Sequence, residues 1–153
     1  MKTVLFVCTG NTCRSPMAEA IARHLATAGR IPGVPKETFF ASAGVFAADG
    51  RPISPETLRA LSRLGIESEG RSKGLTPEMI RKADLVLAMT DQHAEAVRDL
   101  LPGDGRDGAA AIETLDPSGD VPDPIGQGQD RYDALADRLV ELIPSRLADL
   151  LAS

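Results

Sequence analysis

Short apolar segments alternate along the chain with segments of helical periodicity, and this order limits the fold more than any other feature. The apolar segments are residues 3–8, 38–44, 83–89 and 110–115. Their length and apolar content predict buried strands. Nearly continuous apolar strands separated by amphipathic helices are typical of a parallel sheet that helices cover on both faces. We therefore expect an α/β fold with a four-stranded parallel sheet flanked by helices.

Three predicted helices begin at a hydroxyl residue followed by proline. These pairs are Ser15-Pro16, Ser54-Pro55 and Thr76-Pro77. The hydroxyl can cap the helix, and proline is well tolerated at the first helical position. Two more helices are predicted, over residues 91–101 and from 129 to 150. Pro144 lies inside the last one and is expected to kink or split it.

The bulk properties favour a single domain over residues 1–153 and exclude several classes of partner. A chain of 153 residues fits one domain, and its net charge of −5 argues against a nucleic-acid or anionic membrane surface. The first apolar run is shorter than the roughly 7–15 residues of a signal-peptide core. We therefore expect a cytoplasmic protein. Two cysteines do not make a disulfide framework, and the oligomeric state is left open.

The first predicted strand ends at a cysteine, and an arginine follows where a helix begins. The segment reads Cys-Thr-Gly-Asn-Thr-Cys-Arg-Ser-Pro over residues 8–16. A loop this short must curl, and we expect Gly10 to supply a backbone conformation that other residues resist. A curled loop that enters a helix turns its N–H groups inward and forms a concave anion site. Arg14 adds a planar group that can grip two phosphate oxygens.

Cys8 lies at the base of this predicted anion site, where N–H dipoles and Arg14 favour the thiolate. A thiolate that faces a bound phosphorus atom is placed for in-line attack. Ser15 could donate its hydroxyl to the thiolate or merely cap the helix, and Asn11 could brace the loop. A cysteine at a strand end is also ordinary packing. The strand before it, the Gly and Asn after it and the helix beyond favour the catalytic interpretation.

A leaving group expelled by this attack needs a proton donor, and the Pro- and Gly-rich segment 116–128 offers two Asp-Pro pairs. Asp123 lies between Pro122 and Pro124, while Asp116 precedes Pro117. Because Asp-Pro is also plain turn chemistry, spacing alone leaves the assignment of Asp123 open.

Taken together, residues 8–16, 42–44, 83–90 and 121–126 resemble the low-molecular-weight protein tyrosine phosphatases. The resemblance covers essentially the whole chain. It implies a four-stranded parallel sheet flanked by helices, phosphorylated proteins as substrates, and neither a cofactor nor a metal. It also implies three catalytic roles: Cys8 as the nucleophile that forms a phosphocysteine, Arg14 as the ligand of the phosphoryl group, and Asp123 as the general acid.

The same resemblance implies supporting roles around the loop. Ser15 stabilises the thiolate, while Asn11 and Ser42 support the loop. The implied substrate-binding positions are Gly10, Asn11, Thr12, Cys13 and Ser15.

Several positions depart from the tyrosine-specific pattern and resemble the protein-arginine phosphatase branch of the family. Thr12 stands where tyrosine phosphatases usually have an aliphatic residue, and Ile125 and Gly126 stand where aromatic residues often follow the Asp-Pro pair. The resemblance implies phosphoarginine as the substrate. The Thr12 hydroxyl and the Asp123 carboxylate suit a cationic guanidinium better than an apolar wall does. Thr12 could instead hydrogen-bond its own backbone, and phosphotyrosine remains the alternative substrate.

Other classes of protein fit the sequence less well. Related arsenate reductases share the loop but relay oxidation through two further cysteines, whereas this chain has only Cys8 and Cys13. His24 and His93 do not combine with these cysteines in a zinc-binding pattern. An inactive phosphoprotein-binding module is disfavoured by the intact loop. The two cysteines flank a curled loop, so we expect that they could form a disulfide and make the enzyme redox-sensitive.

Overall fold

The computed structural model describes residues 1–101 and 110–151, and its strands form one parallel sheet. The strands are β1 Thr3–Cys8, β2 Phe39–Gly44, β3 Leu85–Ala88 and β4 Ala111–Thr114. Their order is β2-β1-β3-β4, and each neighbouring pair is parallel. The predicted four-stranded parallel sheet is therefore confirmed. The predicted domain over 1–153 includes residues 102–109 and 152–153, which lie outside the described residues.

Helices connect the strands and follow the last of them. They are α1 Arg14–Thr27, α2 Pro55–Arg63, α3 Pro77–Lys82, α4 Asp91–Asp99 and α5 Gln129–Leu151. The predicted caps of α2 and α3 are confirmed, since Ser54 accepts from the Thr57 N–H at 3.2 Å and Thr76 accepts from the Met79 N–H at 3.3 Å. These side chains satisfy N–H groups that the first turn leaves without a partner.

The predicted Ser15 cap is wrong, and so is the predicted split at Pro144, while a kink there stays a prediction. Helix α1 begins at Arg14 with Cys13 at its N-cap, so Ser15 lies inside the first turn and does not cap it. Helix α5 is not split, because it runs through Pro144 from Gln129 to Leu151. Leu139, Ile143 and Leu147 on both sides of that proline are fully buried. Their burial outweighs the single backbone hydrogen bond that a proline removes.

The core has two layers, one on each face of the sheet. Val4 and Phe6 of β1 pack with α1, α2 and α5, whereas Leu5 and Val7 pack with α3 and α4. Successive strand residues point to opposite faces, so β1 is buried on both sides. The prediction of helices on both faces is confirmed. In the described part of the chain, no helix is both long enough and apolar enough to cross a membrane.

The carboxyl end of β1 lies against a glycine at the end of β2. Cys8 pairs with Gly44 in the sheet. A side chain at Gly44 would collide with the Thr9 carbonyl oxygen and lie 3.0 Å from the Asn11 nitrogen. The loop that follows Cys8 therefore packs directly on the β2 backbone, at the edge where parallel sheets hold their ligands.

Candidate active site

The Cys8 sulfur is buried and has two hydrogen-bond partners from its own loop. The Asn11 backbone N–H donates to Sγ at 3.3 Å, and the Ser15 hydroxyl lies 2.9 Å from Sγ. Ser15 accepts from the Asn11 side-chain amide at 2.8 Å, so its own hydrogen is available for Cys8. The other acceptor within reach, the Ala43 carbonyl, is farther away at 3.5 Å. Two hydrogen-bonding groups thus lie within reach of the sulfur that the sequence predicts to be the nucleophile.

Asn11 braces the loop from a fully buried position, with 1% of its surface exposed. Besides Ser15, its amide nitrogen donates to Ser42 Oγ at 3.0 Å, and its Oδ1 accepts from the Lys73 N–H at 2.9 Å. Ser42 in turn donates to Glu19 of α1 at 2.8 Å. The side chain thus ties the loop to β2, to α1 and to the segment before α3.

The unusual backbone conformation in this loop belongs to Asn11 and not to Gly10. Asn11 has φ 55°, in the left-handed region that asparagine tolerates better than most residues. The prediction that Gly10 supplies this conformation is wrong, because Gly10 has no positive φ and has room for a side chain. The polar Asn11 side chain compensates for its backbone strain through its buried hydrogen bonds.

Asn11→Ala is expected to lower the free energy of unfolding by at least about 2 kcal/mol. Unpaired buried partners cost roughly 1–3 kcal/mol, and alanine resists the left-handed region by roughly 1–2 kcal/mol. Asn11→Gly removes the same side chain, but glycine adopts the left-handed backbone conformation readily, so the free energy of unfolding should fall less. Urea unfolding of both variants measures the difference. A change of under about 0.5 kcal/mol for Asn11→Ala, as at ordinary surface sites, would contradict this role.

Arg14 joins the loop to the segment that carries Asp123. Arg14 is buried, with 6% of its surface exposed. Its Nη1 donates to the Val121 carbonyl at 3.0 Å, and its Nη2 lies 3.5 Å from Thr9 Oγ1 and 3.6 Å from Asp123 Oδ2. The Val121 N–H donates to the Met89 carbonyl at 2.8 Å, which anchors the segment to the end of β3. The structure thus brings Arg14 and Asp123 together.

The two Asp-Pro pairs have different surroundings. Asp123 is 45% exposed, and its Oδ1 accepts from the Ile125 N–H at 3.1 Å. Asp116 instead pairs with Arg138 at 3.0 Å and accepts from the Ser118 N–H at 2.8 Å. Burial alone would raise the pKa of Asp116, but these two donors outweigh it and hold the pKa below its ordinary value. Of the two aspartates, Asp123 is the one beside Arg14.

The side chains of Thr12 and Cys13 face different surroundings. Thr12 lines a groove together with Gly10, Phe46 and Arg51. Its hydroxyl lies 3.8 Å from Cys13 Sγ. The Cys13 sulfur lies 3.5 Å from Ser54 Oγ and 3.5 Å from Tyr132 Oη. Cys8 and Cys13 are both free thiols here, and a disulfide between them stays a prediction.

Sequence reasoning missed a contact between the loop and α4. His93 Nε2 lies 2.8 Å from Thr9 Oγ1, across 84 positions of the chain. Helical periodicity places His93 on the buried face but cannot show which loop that face meets.

Residues 3–153 match the family model described as low molecular weight phosphotyrosine protein phosphatase, and the chain belongs to this family. A protein-arginine-phosphatase of Geobacillus stearothermophilus is 40% identical over 150 residues, which cover 97% of this chain and 95% of that protein.

Two solved structures show the same fold. One is the YwlE arginine phosphatase, a Cys-to-Ser mutant with a phosphorylated active-site serine. It has a TM-score of 0.83 and 36% identity, and the match covers 97% of this chain and 95% of that one. The other is a low molecular weight protein tyrosine phosphatase from T. tengcongensis, with a TM-score of 0.83, 38% identity and coverage of 99% and 100%. Relatives named for both substrates are thus similar to this chain.

Proposed function

We propose that this protein is a protein-arginine phosphatase that hydrolyses phosphoarginine through a phosphocysteine at Cys8. The observation that carries the proposal is the Cys8 sulfur, held by the Asn11 N–H and the Ser15 hydroxyl, in a loop whose Arg14 lies 3.6 Å from Asp123. A nucleophile, an oxyanion ligand and a proton donor are the groups that phosphoryl transfer through an enzyme intermediate requires. A tyrosine phosphatase with the same mechanism is the alternative.

The first step transfers the phosphoryl group to the enzyme. The Cys8 thiolate attacks phosphorus, so that an S–P bond forms as the P–N bond of phosphoarginine breaks. The loop N–H groups of residues 10–15 and the Arg14 guanidinium bind the phosphoryl oxygens and disperse their charge. When Arg14 turns to these oxygens it releases the Asp123 carboxylate. The carboxylate takes up a proton from solvent and gives it to the leaving nitrogen.

The second step returns the enzyme to its starting state. The Asp123 carboxylate takes a proton from a water molecule, and the resulting hydroxide attacks the phosphocysteine. The S–P bond breaks and inorganic phosphate leaves. The electron pair returns to Cys8, where the Asn11 N–H and the Ser15 hydroxyl stabilise the thiolate as a leaving group. One water is consumed for each arginine and phosphate released.

Two positions near the loop, Thr12 and Ile125, favour a guanidinium over a phenol ring as the leaving group. Thr12 places a hydroxyl beside the predicted leaving group, and Ile125, 60% exposed, follows the Asp-Pro pair where an aromatic residue would stack on a phenol. Guanidinium N–H groups need acceptors, and the Thr12 hydroxyl and the Asp123 carboxylate supply them. The arginine-phosphatase names of the Geobacillus and YwlE relatives support the same choice.

We further propose that residues 1–153 act as a single phosphatase domain on phosphorylated proteins in the cytoplasm. The substrate-binding positions are Gly10, Asn11, Thr12, Cys13 and Ser15, largely through backbone N–H groups. The family match from residue 3 to 153 supports one domain. The net charge of −5 disfavours nucleic acid as a partner.

Thr12→Ile is expected to lower kcat/KM for phosphoarginine relative to phosphotyrosine by a factor of roughly 5 to 150. An aliphatic wall leaves guanidinium N–H donors unpaired, which costs about 1–3 kcal/mol, and about 1.4 kcal/mol is tenfold. The measurement is the ratio of the two kcat/KM values on peptides that differ only in the phosphorylated residue.

Two variants of the same position separate the hydroxyl from the shape of Thr12. Thr12→Ser keeps the hydroxyl and should keep the preference, whereas Thr12→Val keeps the shape and should lose it. A wild-type enzyme that prefers phosphotyrosine, or a ratio that Thr12→Ile leaves unchanged, would make this protein an ordinary tyrosine phosphatase of the family.

A further inference from the structure

His93 lies in the first turn of α4, with its ring turned to the loop after β1. Its backbone N–H donates to Thr90 Oγ1 at 3.1 Å, which fixes the start of the helix. The residue is 6% exposed, and its Nε2 lies 2.8 Å from Thr9 Oγ1. The same hydroxyl oxygen lies 3.5 Å from Nη2 of Arg14, which donates to it. A continuous chain of polar contacts thus runs from α4 to the guanidinium that the proposed mechanism needs.

The other ring nitrogen indicates which way these hydrogen bonds run. His93 Nδ1 is buried and has no hydrogen-bond partner among the described residues. A buried N–H without an acceptor is rarer and costlier than an unused lone pair. The hydrogen therefore belongs on Nε2, which donates to Thr9 Oγ1. Thr9 then accepts from both His93 and Arg14, so its position is set from two sides.

The imidazole is a neutral donor in this arrangement. Burial, followed by the nearby Arg14, lowers the pKa of His93, and the opposing effect of Asp120 and Asp123 is smaller. These are the charged groups that act on the ring, Arg14 from α1 and the two aspartates from the segment after β4. A protonated ring would bury a second N–H without an acceptor and place two cations side by side. His93 therefore adds no charge of its own to the anion site.

We propose that His93 is a positioning residue that holds Arg14 in place for phosphoryl oxygens through the hydroxyl of Thr9. Without the His93 donor the Thr9 side chain can rotate, and Arg14 loses the acceptor that it has on the loop side. Within the described residues, the remaining polar contacts of Arg14 are with Val121 and Asp123, on the acid segment. This inference rests on the proposed function of the loop, and it adds a residue from α4 that the motif does not contain.

Three substitutions at position 93 test the donor separately from the packing. The Gln amide nitrogen can reach roughly where Nε2 lies, whereas the Asn amide is shorter and corresponds to Nδ1. Phe fills the space and donates nothing. His93→Phe and His93→Asn should lower kcat/KM for p-nitrophenyl phosphate by roughly 10- to 100-fold, the change expected for one hydrogen bond to a charged group. His93→Gln should restore most of this loss.

The dissociation constant of inorganic phosphate, measured by calorimetry, gives a second readout that needs no turnover. The dissociation constant should rise in His93→Phe and return towards the wild-type value in His93→Gln. Thermal unfolding shows whether all variants stay folded at the assay temperature. When Thr9→Val is already present, adding His93→Phe should change neither kcat/KM nor the phosphate dissociation constant further, because both substitutions remove the same His93–Thr9 contact.

The role of His93 would be overturned if kcat/KM fell equally in all three folded variants or fell in none of them. Losses of kcat/KM that add to that of Thr9→Val would also overturn it. A wild-type protein that binds phosphate but hydrolyses no phosphorylated substrate would instead refute the proposed function. The phosphate dissociation constants would still decide the role of His93 in that case.

Discussion

Cys8→Ser is expected to lower turnover by several orders of magnitude while phosphate binding persists. The loop N–H groups and Arg14 remain in place, but a serine hydroxyl stays protonated near neutral pH and is a far weaker nucleophile than a thiolate. In the related YwlE structure, the serine that replaces cysteine carries a phosphoryl group. We therefore expect Cys8→Ser to accumulate phosphoserine at position 8, since serine is also a poor leaving group. Steady-state kcat and intact mass after incubation with substrate measure both effects.

Cys13→Ser provides a matched control for this experiment. It makes the same chemical change in the same loop, at a sulfur that faces Ser54 and Tyr132. It should lose far less activity than Cys8→Ser and should acquire no phosphoryl group on the new serine. If Cys8→Ser kept its turnover, or if Cys13→Ser were the inactive variant, the assignment of the nucleophile would be wrong.

Asp123→Asn is expected to lower kcat by roughly 10²- to 10⁴-fold, the usual contribution of general acid–base catalysis. The amide keeps the size of the carboxylic acid but cannot give a proton to the leaving nitrogen. The loss should be large for phosphoarginine, because a strongly basic guanidine leaves poorly without a proton. It should be smaller for p-nitrophenyl phosphate, whose leaving group needs no proton. Single-turnover rates on both substrates measure this difference.

Asp116→Asn is the control, since it alters the other Asp-Pro pair. Asp116 is bonded to Arg138 and to the Ser118 N–H, away from Arg14. We expect a moderate loss of stability and little change in the dependence on the leaving group. If Asp116→Asn were the damaging change and Asp123→Asn harmless, the acid would be assigned wrongly. The same holds if the single-turnover release of arginine and of nitrophenol, which precedes the water step, slowed equally in Asp123→Asn.

The fold follows from the sequence because its signals are local. An apolar run such as residues 3–8 and a capping hydroxyl such as Ser54 act within a few residues of themselves, and both appear in the structure as predicted. Ser15 shows the limit of this reasoning. It carries the same Ser-Pro signal, but its hydroxyl contacts Cys8 and Asn11, so α1 begins at Arg14 without a side-chain cap. The contacts of Ser15 within the curled loop override its preference for capping a helix.

In the candidate site, too, residues with a local sequence signal could be predicted, and residues brought together by folding could not. Cys8 and Arg14 could be predicted because the loop that joins them is one short segment. Asp123 could be assigned only through the resemblance, since Asp116 carries the same local signal and only folding brings one of the two to Arg14. The His93–Thr9 contact had no local signal, because it spans 84 positions of the chain. The left-handed conformation was predicted at Gly10 but occurs at Asn11. The buried Asn11 amide that supports it bonds to Lys73 and Ser42, which are distant in the chain and give no local signal.

The most direct test of the phosphocysteine mechanism is to identify the atom that receives phosphorus from phosphoarginine. Wild-type protein is mixed with a phosphoarginine peptide, quenched in denaturant during turnover and digested after Lys2 and Arg14. Tandem mass spectrometry of the peptide 3–14, which contains both cysteines, then locates the adduct. We expect a phosphoryl group on the Cys8 sulfur, and we expect none when the substrate peptide carries unmodified arginine. Turnover with no adduct on Cys8, or with the phosphoryl group on another residue, would contradict this mechanism.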